Sequence, residues 1–278
     1  MTEQQNLAAA PLPQEPPAAP PPARRDRRAL RAVLRWSAAV AVFAAVGAAT
    51  AYGITRLERT DVPGLATESD GRWTYPALTR PPLPPGRPGP FAASNRANTH
   101  YADLRALLLP APEGAEEDKE LRGGDGWLAT EDFLTQYASE EDAEEIRRQL
   151  TDHGLRHIAA RGWTTQDGTR TRIYLLQFDT AAVTDELFGP WLAPYGQPRY
   201  QLRGTAMSGH DEAFPDAAQV ENVQRTPYDE QEPYGVEHVR HAYLAAGDTL
   251  ALVVQSREKA APAVPFQQTV TLQSQLLG

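Results

Sequence analysis

A run of twenty residues without a charged side chain, from Trp36 to Thr55, restricts the fold of this chain more than any other feature. At a rise of about 1.5 Å per residue, a helix of that length spans about 30 Å, the thickness of the apolar core of a bilayer. Trp36 and Tyr52 lie near its ends, where amphipathic rings favour the membrane interface. Arg35 and Arg56 bracket the run. We therefore predict one transmembrane helix over Trp36–Thr55, with the lipid bilayer as its partner.

The residues before this run predict its orientation. Six arginines lie within residues 24–35, and an arginine cluster keeps its side of a span cytoplasmic. Residues 1–23 are rich in proline and alanine and poor in large apolar side chains, which is typical of a disordered segment. Residues 1–35 are thus predicted to be a disordered cytoplasmic tail, and a proline-rich ligand for a cytoplasmic partner is an alternative use of it. The C-terminal part is expected outside the cell membrane.

A cleaved signal peptide competes with this signal-anchor interpretation. Residues 48–51 (Ala-Ala-Thr-Ala) are small, as at a cleavage site. The arginine pairs at 24–25 and 27–28 make twin-arginine export a further alternative. The length of the preceding region and the full length of the apolar run favour an uncleaved anchor.

Charge changes sign along the chain. Residues 1–35 hold six arginines against three carboxylates, whereas the rest holds 21 basic and 33 acidic side chains, a net charge of −12. An acidic domain argues against nucleic acid as a partner. The chain has no cysteine, which excludes disulfides, thiolate nucleophiles and cysteine-based metal sites.

A proline-rich segment follows the apolar run, and residues 56–94 are predicted to be an extended stalk. Trp73 and Tyr75 within it either pack on the folded domain or lie at the lipid surface. The prolines that stiffen it are Pro76, Pro81, Pro82, Pro84, Pro85, Pro88 and Pro90.

Regular patterning begins near residue 95, and residues 95–278 are predicted to form one extracytoplasmic domain. Thr130 and Ser139 are predicted to start helices, because acidic residues follow each in the first turn, and Gly154 is predicted to end the second. Strands over 157–163 and 170–178 flank Asp167-Gly168, a hairpin signal.

The same order of elements returns near the C-terminus. The first hairpin is followed by a predicted helix over 180–188, which stops at Gly189-Pro190. In the second unit, strands over 236–243 and 249–255 flank Gly247, and a helix over 265–277 follows them. We therefore predict an α+β fold: an antiparallel sheet built from hairpin–helix units, covered by helices and preceded by one transmembrane helix.

Two stretches carry a resemblance to a known group of proteins. Residues 103–114 (DLRALLLPAPEG) and 163–178 (WTTQDGTRTRIYLLQF) resemble uncharacterised actinobacterial single-pass membrane proteins with a sensor-type α+β ectodomain. The composition is rich in arginine, as is typical of proteins from bacteria with GC-rich genomes, and this agrees with an actinobacterial source. The resemblance implies no activity, no cofactor and no site residue.

Potentially reactive side chains are densest at Ser208–Glu212, with Glu237, His238 and His241 farther on. A serine close to a histidine in the sequence makes an envelope hydrolase an alternative function, although no Gly-x-Ser-x-Gly motif is present. Imidazoles and carboxylates bind zinc or manganese where three or four converge. On the predicted strand, however, His238 and His241 point to opposite faces. No catalytic, cofactor-binding or metal-binding residue is assigned.

Aromatic residues gather on a proline-rich loop, which is typical either of a recognition surface or of a loop held in the core by its rings. They are Phe188, Trp191, Tyr195 and Tyr200. Together these features favour a membrane-anchored, non-enzymatic sensing or binding domain, with an envelope protein or a cell-wall ligand as its partner. The alternative is an envelope hydrolase using Ser208–Glu212.

Overall fold

Residues 27–56 and 69–278 are described by this structure, a computed structural model, and the chain divides into two units at residues 68 and 69. Most of the predicted cytoplasmic tail, residues 1–26, lies outside the described residues.

Helix α1 (Arg27–Arg56) forms the described part of the first unit. It contains the whole of the predicted span and begins earlier, because the alanine, leucine and arginine residues before Trp36 are good helix formers. Its stretch from Arg28 to Gly53 is long and apolar enough to cross a membrane. Large apolar side chains such as Phe43 are exposed along it, as on a lipid-facing helix.

Seven antiparallel strands form one sheet in the second unit, in the order β1-β2-β3-β7-β6-β5-β4. The two predicted hairpins, β2–β3 and β6–β7, lie next to each other and make its centre, which confirms the predicted fold class. The strands are β1 (Glu116–Asp118), β2 (His157–Thr164), β3 (Arg170–Gln177), β4 (Ser208–His210), β5 (Gln224–Glu230), β6 (Glu237–Ala246) and β7 (Thr249–Glu258).

Four α-helices cover this sheet: α2 (Thr130–Leu134), α3 (Glu140–Asp152), α4 (Ala181–Leu187) and α5 (Ala263–Leu277). The predicted cap of α3 is present, because Ser139 Oγ accepts hydrogen bonds from the backbone N–H groups of Glu141 and Asp142 at 3.1 and 3.2 Å. Short 3₁₀ turns lie at Leu104–Ala106, Glu120–Arg122 and Asp216–Ala218.

The prediction that helix α4 ends in a break at Gly189-Pro190 is wrong. The chain does not leave the helix there but continues as a π-helical turn, Phe188–Leu192. Pro190 has no N–H for the α-helical bond, and the Ala193 N–H bonds instead to the Phe188 carbonyl five residues back, at 2.7 Å.

Both faces of the sheet are buried. Tyr174 and Leu176 of β3 point into a first core shared with α2, α3 and α4. Ile173 and Leu175 point into a second core shared with α5 and the segment 104–109. The two hairpin–helix units thus send their helices to opposite faces, α4 to the first core and α5 to the second.

Residues 69–94, the described part of the predicted stalk, belong to the same unit as the sheet; we call them the strap. Trp73 and Tyr75 pack against the second core. The Trp73 N–H donates to Gln268 Oε1 at 2.8 Å, and the Tyr75 hydroxyl lies 2.8 Å from Thr269 Oγ1. The strap therefore runs along α5.

Candidate functional site

The predicted reactive cluster lies on the edge strand β4 and in the turn after it. Ser208 and His210 are two residues apart on one strand, which separates their Cα atoms by about 7 Å. Ser208 Oγ is buried without a hydrogen-bond partner among the described residues. Asp211 accepts instead from Arg240, at 3.1 Å. No nucleophile–base pair is therefore formed in this part of the structure.

The other two predicted histidines point to opposite faces of β6, as their spacing predicts. His238 Nε2 lies 2.8 Å from Asp229 Oδ1, and its Nδ1 accepts from the Ala261 N–H at 2.9 Å. His241 stacks on Tyr228 in the first core, with ring centroids 5.0 Å apart. Each imidazole is thus held in its own structural setting.

His210 does not meet either of them. In the strand register it lies opposite Tyr228, and Tyr228 lies opposite His241, so that the Cα atoms of the two histidines are two strands apart, about 10 Å. Burial lowers the pKa of His241 to about 3, and the charge of Asp229 offsets part of that effect. Among the residues that the structure describes, no group of three or more histidines and carboxylates could hold a metal ion.

The aromatic loop is mostly held by the core. Phe188 and Tyr200 are buried in the first core, and the Arg199 guanidinium lies 4.5 Å from the centre of the Trp191 ring. Tyr195 is 83% exposed and rests beside His210, with ring centroids 4.8 Å apart.

Sequence reasoning missed a cleft of about 210 Å³ between the strap and the C-terminal end of α5, which we call the α5 cleft. Its walls are largely apolar. They include Pro81, Leu83 and Pro90 of the strap, Leu107, and Leu276 and Leu277 of α5. A concave apolar surface with a few polar groups is the usual form of a small-molecule site.

A buried ion pair lies at the wall of the α5 cleft. His100 Nδ1 is 2.6 Å from Asp248 Oδ1, and His100 Nε2 is 2.9 Å from the Leu277 carbonyl oxygen. Both ring nitrogens therefore face oxygen atoms, which fixes the orientation of the ring. The Asp248 carboxylate also accepts from Thr249 Oγ1 and Gln177 Nε2, both at 3.1 Å. The His100–Asp248 pair therefore holds one wall of the α5 cleft in place.

One arginine lines the rim of the α5 cleft, and a second lies beside it. Arg80 lines it and donates from Nη2 to the Gln275 carbonyl oxygen at 3.0 Å. The Arg87 guanidinium lies 4.7 Å from the centre of the Tyr101 ring, and Tyr101 lines the cleft. Residues 71–102 contain four arginines and no carboxylate, in a part of the chain that is otherwise acidic. That local reversal of charge was the sequence signal for this region.

No family model matches the chain, and no curated protein matches it. Among solved structures, the chain is similar to an uncharacterised protein from Mycobacterium smegmatis, the Rv0999 ortholog, at 12% identity and a TM-score of 0.27. The match covers 63% of this chain and 83% of that one.

Proposed function

We propose that this chain is a membrane-anchored binding protein whose folded unit lies outside the cell and recognises a ligand without catalysing a reaction. The α5 cleft is the observation that carries the proposal. It is concave, apolar and walled by segments that hydrogen bonds and the buried ion pair hold in place, so that it is largely formed before a ligand arrives.

The anchor in this proposal is α1, and the arginines at its start set its direction. Arg28, Arg31 and Arg35 lie in the first turns of the helix, and the positive-inside rule places that end in the cytoplasm. The sheet, which follows α1 in the chain, would then lie outside the cell membrane.

The absence of an assembled catalytic group favours binding over hydrolysis. The alternative, an envelope hydrolase using Ser208–Glu212, needs a histidine in contact with Ser208 and an acid in contact with that histidine. Ser208 Oγ has no partner among the described residues, and Asp211 pairs with Arg240 instead of a histidine.

Protease treatment of intact protoplasts tests the topology. With an affinity tag at each end, we expect loss of the C-terminal tag and protection of the N-terminal tag. A protected C-terminal tag would contradict the proposal, and so would a mature protein that begins near Ala51.

Ligand-observed NMR tests the cleft. The full chain is placed in nanodiscs of deuterated zwitterionic lipid, and saturation transfer to hexan-1-ol is measured against empty nanodiscs. We expect transfer that the Leu83→Asp variant abolishes, because Leu83 is a half-exposed wall residue whose replacement leaves the core intact. Val236→Asp is the matched control, since Val236 is 87% exposed and does not line the cleft. Equal signals from both variants would contradict the proposal.

A further inference from the structure

We propose that the α5 cleft binds a single-chain amphiphile with an anionic head group, such as a fatty carboxylate. This inference rests on the proposed function and names the chemical class of its ligand. Two features of the cleft carry it, the size of the apolar part and the charge of the rim.

The apolar part has the size of a short alkyl chain. An engineered protein cavity of about 150 Å³ accommodates benzene, so a cleft of 210 Å³ takes a chain of roughly six to eight carbons. The walls from Leu83, Leu107 and Leu276 offer carbon surface rather than hydrogen-bonding groups. The polar atoms of His100 are already bonded to Asp248 and Leu277, so that they do not compete for the chain.

The rim fits a negative head group. Within the described residues, neither Arg80 nor Arg87 forms an ion pair with a carboxylate: Arg80 bonds to a backbone carbonyl and Arg87 covers a tyrosine ring. Each guanidinium therefore keeps N–H donors for a ligand. No aspartate or glutamate side chain lines the cleft. Guanidinium is also the protein group best matched to a carboxylate or a phosphate.

The net charge of the rest of the unit makes this local pattern informative. Residues 69–278 carry 19 basic and 30 acidic side chains, a net charge of −11, and a typical surface patch of such a domain would repel an anion. The four arginines of residues 71–102 sit in the strap and beside it, and two of them reach the cleft or a ring that lines it.

Three probes with the same alkyl chain separate the head-group charge from the apolar contact: hexanoate, hexan-1-ol and hexylammonium. Their affinities are measured by saturation transfer on the full chain in zwitterionic nanodiscs. Because a hydrogen bond to a charged group is stronger than one between neutral groups, we expect hexanoate to bind about tenfold more tightly than hexan-1-ol. Hexylammonium should bind more weakly than either.

Arginine variants identify the source of that preference. Arg80→Gln and Arg87→Gln together should bring the affinity of hexanoate down to that of hexan-1-ol measured on the same double variant. Arg72→Gln is the matched control, because Arg72 pairs with Asp70 and does not line the cleft. The preference for hexanoate should also weaken as salt concentration rises.

The outcomes distinguish this inference from the proposed function. If hexan-1-ol binds as tightly as hexanoate, the anionic head group is wrong and the binding function stands. If no probe binds the unmodified chain, both are wrong. If anionic phosphatidylglycerol in the nanodisc displaces hexanoate, the cleft takes a bilayer lipid instead of a free single-chain amphiphile, and the inference is overturned in that respect.

Discussion

His100 and Asp248 form a buried ion pair across 148 positions of sequence, with Nδ1 and Oδ1 2.6 Å apart. The side chain of His100 is 3% exposed and that of Asp248 is not exposed at all. The pair joins the segment after the strap to the turn between β6 and β7. Through His100 Nε2 it also reaches the Leu277 carbonyl at the end of α5. Three remote segments of the chain are thereby fixed around one imidazole.

Removing His100 should be strongly destabilising. His100→Ala leaves the buried Asp248 carboxyl without its imidazole partner, and the free energy of unfolding should fall by about 3–5 kcal/mol. Urea denaturation followed by tryptophan fluorescence measures the loss.

His153→Ala provides the control for this change. His153 Nε2 lies 3.7 Å from Glu186, which is two-thirds exposed, and His153 Nδ1 lies 2.8 Å from the Gln149 carbonyl oxygen. Loss of this exposed pair and one hydrogen bond should cost about 1–2 kcal/mol, less than the loss at His100. The double variant His100→Ala/Asp248→Ala should lose less than the sum of the two single losses. Additive losses would contradict the ion pair.

The strap should be part of the folding unit. A fragment of residues 69–278 is expected to unfold in one cooperative transition, whereas a fragment of residues 95–278 lacks the ring contacts of Trp73 and Tyr75 with the second core. Loss of one fully buried ring costs about 3–5 kcal/mol, and because Trp73 and Tyr75 are each partly buried, the shorter fragment should be less stable by about that amount in total. Thermal melts by circular dichroism decide between them, and equal midpoints would show that the strap only lies on the surface.

Stability should fall with acid because of His241. The pKa of this imidazole is about 3 in the folded state and about 6.5 in an unfolded chain, so only the unfolded state takes up a proton between these values. The unfolded state is therefore favoured as pH falls, and at pH 5 the loss is about 2 kcal/mol. His241→Phe removes the titrating group, and its unfolding free energy should change less between pH 7 and pH 5.

His241→Phe should also be more stable than the natural chain at pH 7. Neither ring nitrogen of His241 has a hydrogen-bond partner among the described residues, and an unpaired buried polar group costs about 1–3 kcal/mol. The carboxylates of Asp103 and Asp167, whose pKa values hydrogen bonds lower, titrate alike in both proteins and cancel in the comparison. Parallel pH profiles for the two proteins would contradict a neutral buried His241.

The sequence contained the centre of this fold but not its edges. The hairpins of β2–β3 and β6–β7 were predictable because alternating apolar residues surround turns that contain Gly168 and Gly247. Strand β5 was not, since Gln224–Glu230 is polar and contains Pro227. Its Glu230 is buried because the carboxylate accepts from the backbone N–H groups of Ala206 and Val239, at 2.7 and 2.9 Å. Such partners come from tertiary structure and leave no local pattern.

The candidate site was hidden for the same reason. The α5 cleft brings residues near Arg80 and His100 against Leu276 and Leu277, more than 170 positions away. Local periodicity carries no information about that pairing. The serine–histidine cluster at Ser208–Glu212 was visible in the sequence because its members are close together along the chain. In the structure, Ser208 and His210 lie on one extended strand, which keeps their side chains apart.

The two turn glycines should respond differently to the same substitution. Both have a positive φ, 81° at Gly168 and 52° at Gly247, so an alanine at either is strained by about 1 kcal/mol. A Cβ at Gly168 would meet open space, whereas one at Gly247 would lie 2.2 Å from the backbone oxygen of Asn98. That oxygen accepts from the Asp248 N–H at 3.1 Å, so the turn cannot move away without breaking this bond. Gly247→Ala should therefore cost at least about 3 kcal/mol in unfolding free energy. Urea denaturation of the two variants measures both losses of unfolding free energy. Equal losses would contradict the predicted clash between a Cβ at position 247 and the backbone oxygen of Asn98.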